Sequence, residues 1–170
     1  FDVYGMNPKM NKSKEEFKTL YKYDVTIGES EEGKKNWSLK WNKLESASKR
    51  TQDAYWKQHG EFEASNPGVY FRNNVWWWRP LWDYIYNATD LITEDEWNQG
   101  HMNDGLEIDN DRAKKIAEHL DYALRSGEVK DYEEQYRLMS KDAEYSYPFS
   151  EDNVREFAMF CHESGGFTIC

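Results

Sequence analysis

The chain has 170 residues, a formal net charge of -10, 32 % charged side chains and 16 % aromatic ones. That length allows one domain with a substantial core, built largely from rings. The acidic balance argues against direct nucleic-acid binding and against anionic membranes, and no apolar run is long enough to cross a bilayer. Charge is unevenly spread: residues 1–57 carry 12 Lys/Arg and 9 Asp/Glu, whereas residues 58–170 carry 10 and 23, a net of -13.

In chain order, Phe1-Asp2-Val3-Tyr4-Gly5 alternates like a short strand and Asn7-Pro8 breaks it. Residues 9–66 are rich in lysine and read as an insertion or peripheral helical arm beside an acidic core body at 67–170. Within the arm, Ser13 and Glu16 form a capping box, and Phe17, Leu20 and Tyr21 share a helix face. Val25 to Gly28 suits a brief strand and Glu29 to Lys35 an exposed loop. Residues 37–58 show helical spacing through Trp37, Trp41, Leu44 and Ser48. Asn66-Pro67-Gly68 is a firm turn.

Val69 to Phe71 suits a strand. Pro80 is a poor helix-interior residue and a good first-turn residue, so a helix is expected from Arg79 or Pro80 to about Ala88, with Leu81, Trp82 and Ile85 inward. Thr93 and Glu96 form a second capping box, opening a helix that ends near Gly100. Asp109 caps a helix whose Ala113, Ile116, Ala117, Leu120 and Leu124 line one face up to Gly127. Residues 131–141 form another helix, and Ser150 caps the last, with Val154, Phe157, Ala158 and Cys161 inward. Phe167 to Ile169 is a terminal strand expected against Phe1–Gly5 or Val69–Phe71. The fold class is therefore α+β, mainly α, with five or six helices around one aromatic-rich core and a small sheet.

The stretch Val69–Trp82 concentrates tryptophan, arginine and asparagine. Arg72, Asn73, Asn74, Trp76, Trp77 and Arg79 supply ring faces and directional donors suited to an anionic, ring-containing ligand. The competing explanation is packing, since consecutive tryptophans cannot all face solvent. His101, Asn103 and Asp104 form a polar loop that could complete such a site, with His101 as a base if a nucleophile were near. The acidic residues from Glu94 to Asp111 fail the EF-hand register, because Gly100 and Met102 fall where oxygen ligands belong. Helix caps and a solvated face account for them, and no metal is expected. Cys161 beside His162 points about 100° away from it on a helix, which favours a structural thiol.

Two cysteines without metal or redox spacing fit a reducing compartment, and no basic-then-apolar leader opens the sequence. A cytoplasmic location is expected. The nucleotide and hydrolase signatures that carry a phosphate loop or a nucleophile elbow are absent, and no cofactor is implied.

Four blocks resemble a family of small, uncharacterised bacterial and phage proteins. They are Asp2-Val3-Tyr4-Gly5 with Asn7-Pro8, Tyr70 through Trp82, Asn103-Asp104-Gly105 with the helix after it, and Pro148-Phe149-Ser150 through Cys170. The resemblance implies one domain with its termini close together and residues 9–66 as an insertion. It carries over no catalytic residue. The functional expectation is a non-enzymatic, phage-like binding protein holding a small-molecule ligand or a host protein. The alternatives are an acidic inhibitor or nucleic-acid mimic docking on a basic partner, and an enzyme of unknown class using His101, Asp104 and the central arginines.

Overall fold

Val3, Phe71, Leu106, Ile108, Phe167 and Ile169 each sit between residues of a different character, the alternation that buries one face of a sheet. In the computed structural model, which describes residues 1–23, 39–141 and 147–170, they lie on β1 (Asp2–Gly5), β2 (Tyr70–Arg72), β3 (Leu106–Ile108) and β4 (Phe167–Ile169). These strands form one antiparallel sheet in the order β2-β1-β4-β3. Val3 stands opposite Phe71 on one side and Ile169 on the other, and Ile108 stands opposite Phe167. All six apolar side chains are buried. The terminal strand thus pairs with β1, as expected, and also with β3. Three residues are too few for a period-2 pattern to stand out, so β3 reads as loop in the sequence.

The described residues form two compact units, Phe1–Lys9 with Pro67–Cys170 and Met10–Asn66. In the second, Glu16 reaches back to the Ser13 N–H at 2.8 Å, as its capping box predicts, and a 3-10 turn at Lys14–Glu16 leads into α1 (Lys18–Lys22). Gln58 Oε1 accepts from the N–H groups of Thr19 and Leu20 at 2.8 and 3.0 Å, satisfying donors that a helix start leaves open. Residues 39–45 are helical, and α2 runs from Lys49 to Ser65. The single helix expected over 37–58 is therefore broken at 46–48. Ser48 takes the N-cap role there, accepting from the Thr51 N–H at 3.3 Å, a use of serine that competes with continuing the helix. Phe17 meets Phe62 edge-on at 5.8 Å. The strand, loop and Trp37 readings over residues 24–38 fall outside the described residues.

The larger unit holds α3 (Val75–Ala88), α4 (Glu94–Gly100), α5 (Asn110–Ser126), α6 (Glu128–Met139) and α7 (Glu151–Glu163). On α5 the predicted stripe is buried at Ala113, Ile116, Ala117 and Leu120, and it packs against α7, whose Val154, Phe157, Ala158 and Cys161 are equally buried. Phe157 joins three elements, lying edge-on to Phe71 at 5.0 Å, Trp78 at 5.8 Å and Phe167 at 5.7 Å. Gly127 ends α5 and begins α6 with a φ of 89°, a left-handed backbone that glycine adopts without a Cβ penalty. The fold is α+β and mainly α. No helix among the described residues is long and apolar enough to cross a membrane.

Candidate functional site

The helix α3 builds the site. It begins at Val75 rather than near Arg79, because Asn74 acts as its N-cap and accepts from the N–H groups of Trp76 at 3.1 Å and Trp77 at 3.2 Å. Pro80 is therefore the sixth residue of the helix, and its missing N–H leaves the Trp76 carbonyl without the usual partner. Trp76 is half exposed, so water can reach this turn. Starting the helix early spaces the three tryptophans by about 100° each. Trp78 is fully buried and Trp77 partly so, while Trp76 faces outward.

Trp78 stacks on Trp82 at 5.5 Å and 14°. Both indoles donate to carbonyls at the end of α4, Trp78 Nε1 to Gly100 O at 2.8 Å and Trp82 Nε1 to Trp97 O at 3.1 Å. A helix C-terminus leaves such carbonyls without helical partners, so two core rings both fill the interior and fasten α4 to α3. That fastening puts Trp97 and His101 beside Asp83. Asp83 Oδ1 accepts from Trp97 Nε1 at 2.8 Å and lies 3.0 Å from His101 Nε2. The carboxylate is an acceptor, so Nε2 carries the hydrogen. His101 stands edge-on to Trp97 at 5.0 Å, and its Nδ1 is buried without a hydrogen-bond partner. Burial pushes the Tyr132 and Tyr136 hydroxyls above their ordinary range, and the nearby Asp83 charge adds to the rise.

On the same helix, Trp76 faces Tyr147 with ring centroids 5.0 Å apart and tilted 34°. Arg79 Nη1 donates to Tyr147 Oη at 3.5 Å. Tyr147 also borders an open hollow of about 430 Å³, walled by Tyr136, Pro148 and Phe149 with Arg137, Lys141 and Glu133 at its edge.

The sequence-predicted residues therefore separate. Trp76 and Arg79 come together with Tyr147. Arg72 lies 3.6 Å from Asp2, and Asn73 exchanges amide hydrogen bonds with Asn153 at 3.0 and 2.8 Å, while Asn74 caps α3. These three hold structure together. His101 takes Asp83 as its carboxylate, and Asp104 lies exposed at a different hollow with Glu96, Gln99 and Glu107. Asn103 is exposed in the turn with a φ of 63°, a conformation asparagine tolerates better than most residues. Sequence reasoning missed Asp83, Trp97, Tyr147, Arg137 and Lys141. Asp83 lies one helical turn beyond Arg79, a signal that an earlier helix start would have exposed. Tyr147 carries none.

Burial pushes the Cys161 thiol well up, which keeps it protonated and unreactive, and His162 pairs instead with Asp121 at 2.7 Å. Among the described residues no group of three or more His, Cys, Asp or Glu is placed to hold a metal ion. No family model, curated protein or solved structure matches the chain, so the functional argument rests on this geometry.

Proposed function

We propose that this protein is a binding protein that takes a small anionic, ring-containing ligand at Trp76, Arg79 and Tyr147. The observation that carries this is the half-exposed Trp76 ring set against Tyr147, with the Arg79 guanidinium beside them and no carboxylate paired to it among the described residues. Aromatic faces favour a planar ring, and an arginine held at their edge favours its negative group. A binding role also accords with His101, whose Nε2 is engaged by Asp83 and whose Nδ1 is buried, an arrangement poor for taking a proton from a bound molecule.

Native mass spectrometry of protein purified gently from cells tests this. The expected result is an adduct of small mass, shed on denaturation and lost from Trp76→Ala and Arg79→Ala. Variants that keep the wild-type adduct at full occupancy overturn the assignment.

A further inference from the structure

The larger unit carries eleven Lys and Arg residues, five of them paired with a carboxylate among the described residues. Lys9, Arg72, Arg112, Lys115 and Arg155 each have a carboxylate within salt-bridge distance. Six have no such partner among the described residues; Lys114, Arg125 and Lys130 do not line the hollow, whereas Arg79, Arg137 and Lys141 adjoin Tyr147 or the hollow it borders. Arg137 and Lys141 follow one another by about a helical turn, where like charges repel. A dipole at the end of α6 favours cations in that last turn, but it explains neither Arg79 on α3 nor the ring walls. Glu133 accepts from the Glu151 N–H at 2.8 Å and so is turned toward the start of α7, where it lines a neighbouring hollow with Glu134, Glu151 and Arg137.

The geometry points to a phosphorylated ligand of the nucleoside-monophosphate class, with its base against Trp76 and Tyr147 and its phosphate among Arg79, Arg137 and Lys141. This rests on the binding site proposed above and adds the identity of the anionic group. A phosphate dianion offers oxygens to Arg137 and Lys141 at once and relieves their repulsion, which a single carboxylate does less well. Aromatic faces accept any base, so the phosphate rather than the identity of the base distinguishes the ligand.

Calorimetric titration of the full chain with the ribonucleoside 5′-monophosphates and the matching nucleosides tests it. A monophosphate should bind about tenfold or more tightly than its nucleoside, the worth of one charge-assisted contact. Arg137→Gln with Lys141→Gln should remove most of that difference, and Trp76→Ala should weaken binding of both ligands. Equal binding of monophosphate and nucleoside overturns the phosphate assignment and leaves the ring site standing. If no monophosphate binds while the cellular adduct survives, the ligand class is wrong and the site is right. If Trp76→Ala alters neither the titration nor the adduct, both fall.

Discussion

An added Cβ at Gly60, inside α2, would meet nothing within 4 Å, whereas at Gly100, the last residue of α4, it would lie 2.3 Å from Trp82 Nε1. The same substitution should therefore act in opposite directions. Gly60→Ala removes unfolded-state freedom and improves helix propensity, and is expected to stabilise by about 0.5–1 kcal/mol. Gly100→Ala must displace a fully buried indole that is hydrogen-bonded to Trp97 O, and is expected to cost about 1–3 kcal/mol. Urea midpoints of the two variants decide it, and shifts of the same sign would refute the packing described around Trp82. The Asp83 and His101 contact belongs to this scale too. It joins residues eighteen apart in sequence through the turn that ends α4. No local pattern announces such a contact, whereas Asp104 lies only three residues from the histidine and shares its loop in the sequence.

At the scale of elements, the pairing of Arg112 on α5 with Glu96 on α4 and with the α5 N-cap Asp109 gives the fold an acid limit. Burial alone would raise the Glu96 carboxyl, but the Thr93 N–H and the Arg112 guanidinium, 2.6 Å away, outweigh it and hold it below the usual range. Asp109 is lowered chiefly by the Arg112 N–H and then by its guanidinium at 2.7 Å. A carboxyl whose folded pKa is depressed contributes stability that is present above its unfolded pKa and lost as pH falls through the folded value. With ordinary values of 4.5 and 3.8, that loss begins near those pH values and deepens below them. Arg112→Met should be less stable at neutral pH and should lose less on acidification. Urea midpoints at neutral pH and at about pH 3 measure both effects, and equal losses in wild type and variant would exclude the linkage. The elements also show what a sequence reveals. The α5 stripe was legible because Ala113, Ile116, Ala117 and Leu120 repeat over several turns between a clear cap and a clear stop. The start of α3 was not, because Pro80 signals a first turn more strongly than Asn74 signals a cap, and tertiary burial of Trp78 and Trp82 outweighs one missing backbone bond. Tyr147 lies 68 residues from Arg79, so one of the three ligand-facing residues was invisible to local reasoning.

For the whole molecule, the places where residues 10–66 leave and rejoin the larger unit are adjacent. The Lys9 N–H donates to Glu163 O at 2.7 Å, and Gly68 runs so close to the same carbonyl that a Cβ there would lie 2.1 Å from it. Replacing residues 10–66 by a short glycine–serine linker should therefore leave the sheet and the Trp78–Trp82 stack intact, since closing a shorter loop costs less entropy. Retention of the near-UV circular dichroism of the tryptophans is the expected result, and its loss would mean that the larger unit depends on the segment for its fold. The sheet has a consequence of a different kind. Asp2 and Cys170 exchange backbone hydrogen bonds at 2.9 and 2.8 Å across the antiparallel pair β1 and β4. Tension applied at that pair of residues would load the β1–β4 bonds one after another, as a zipper opens, instead of all together as in shear. Pulling at these residues should therefore open the sheet at a force well below that needed to shear the same bonds together.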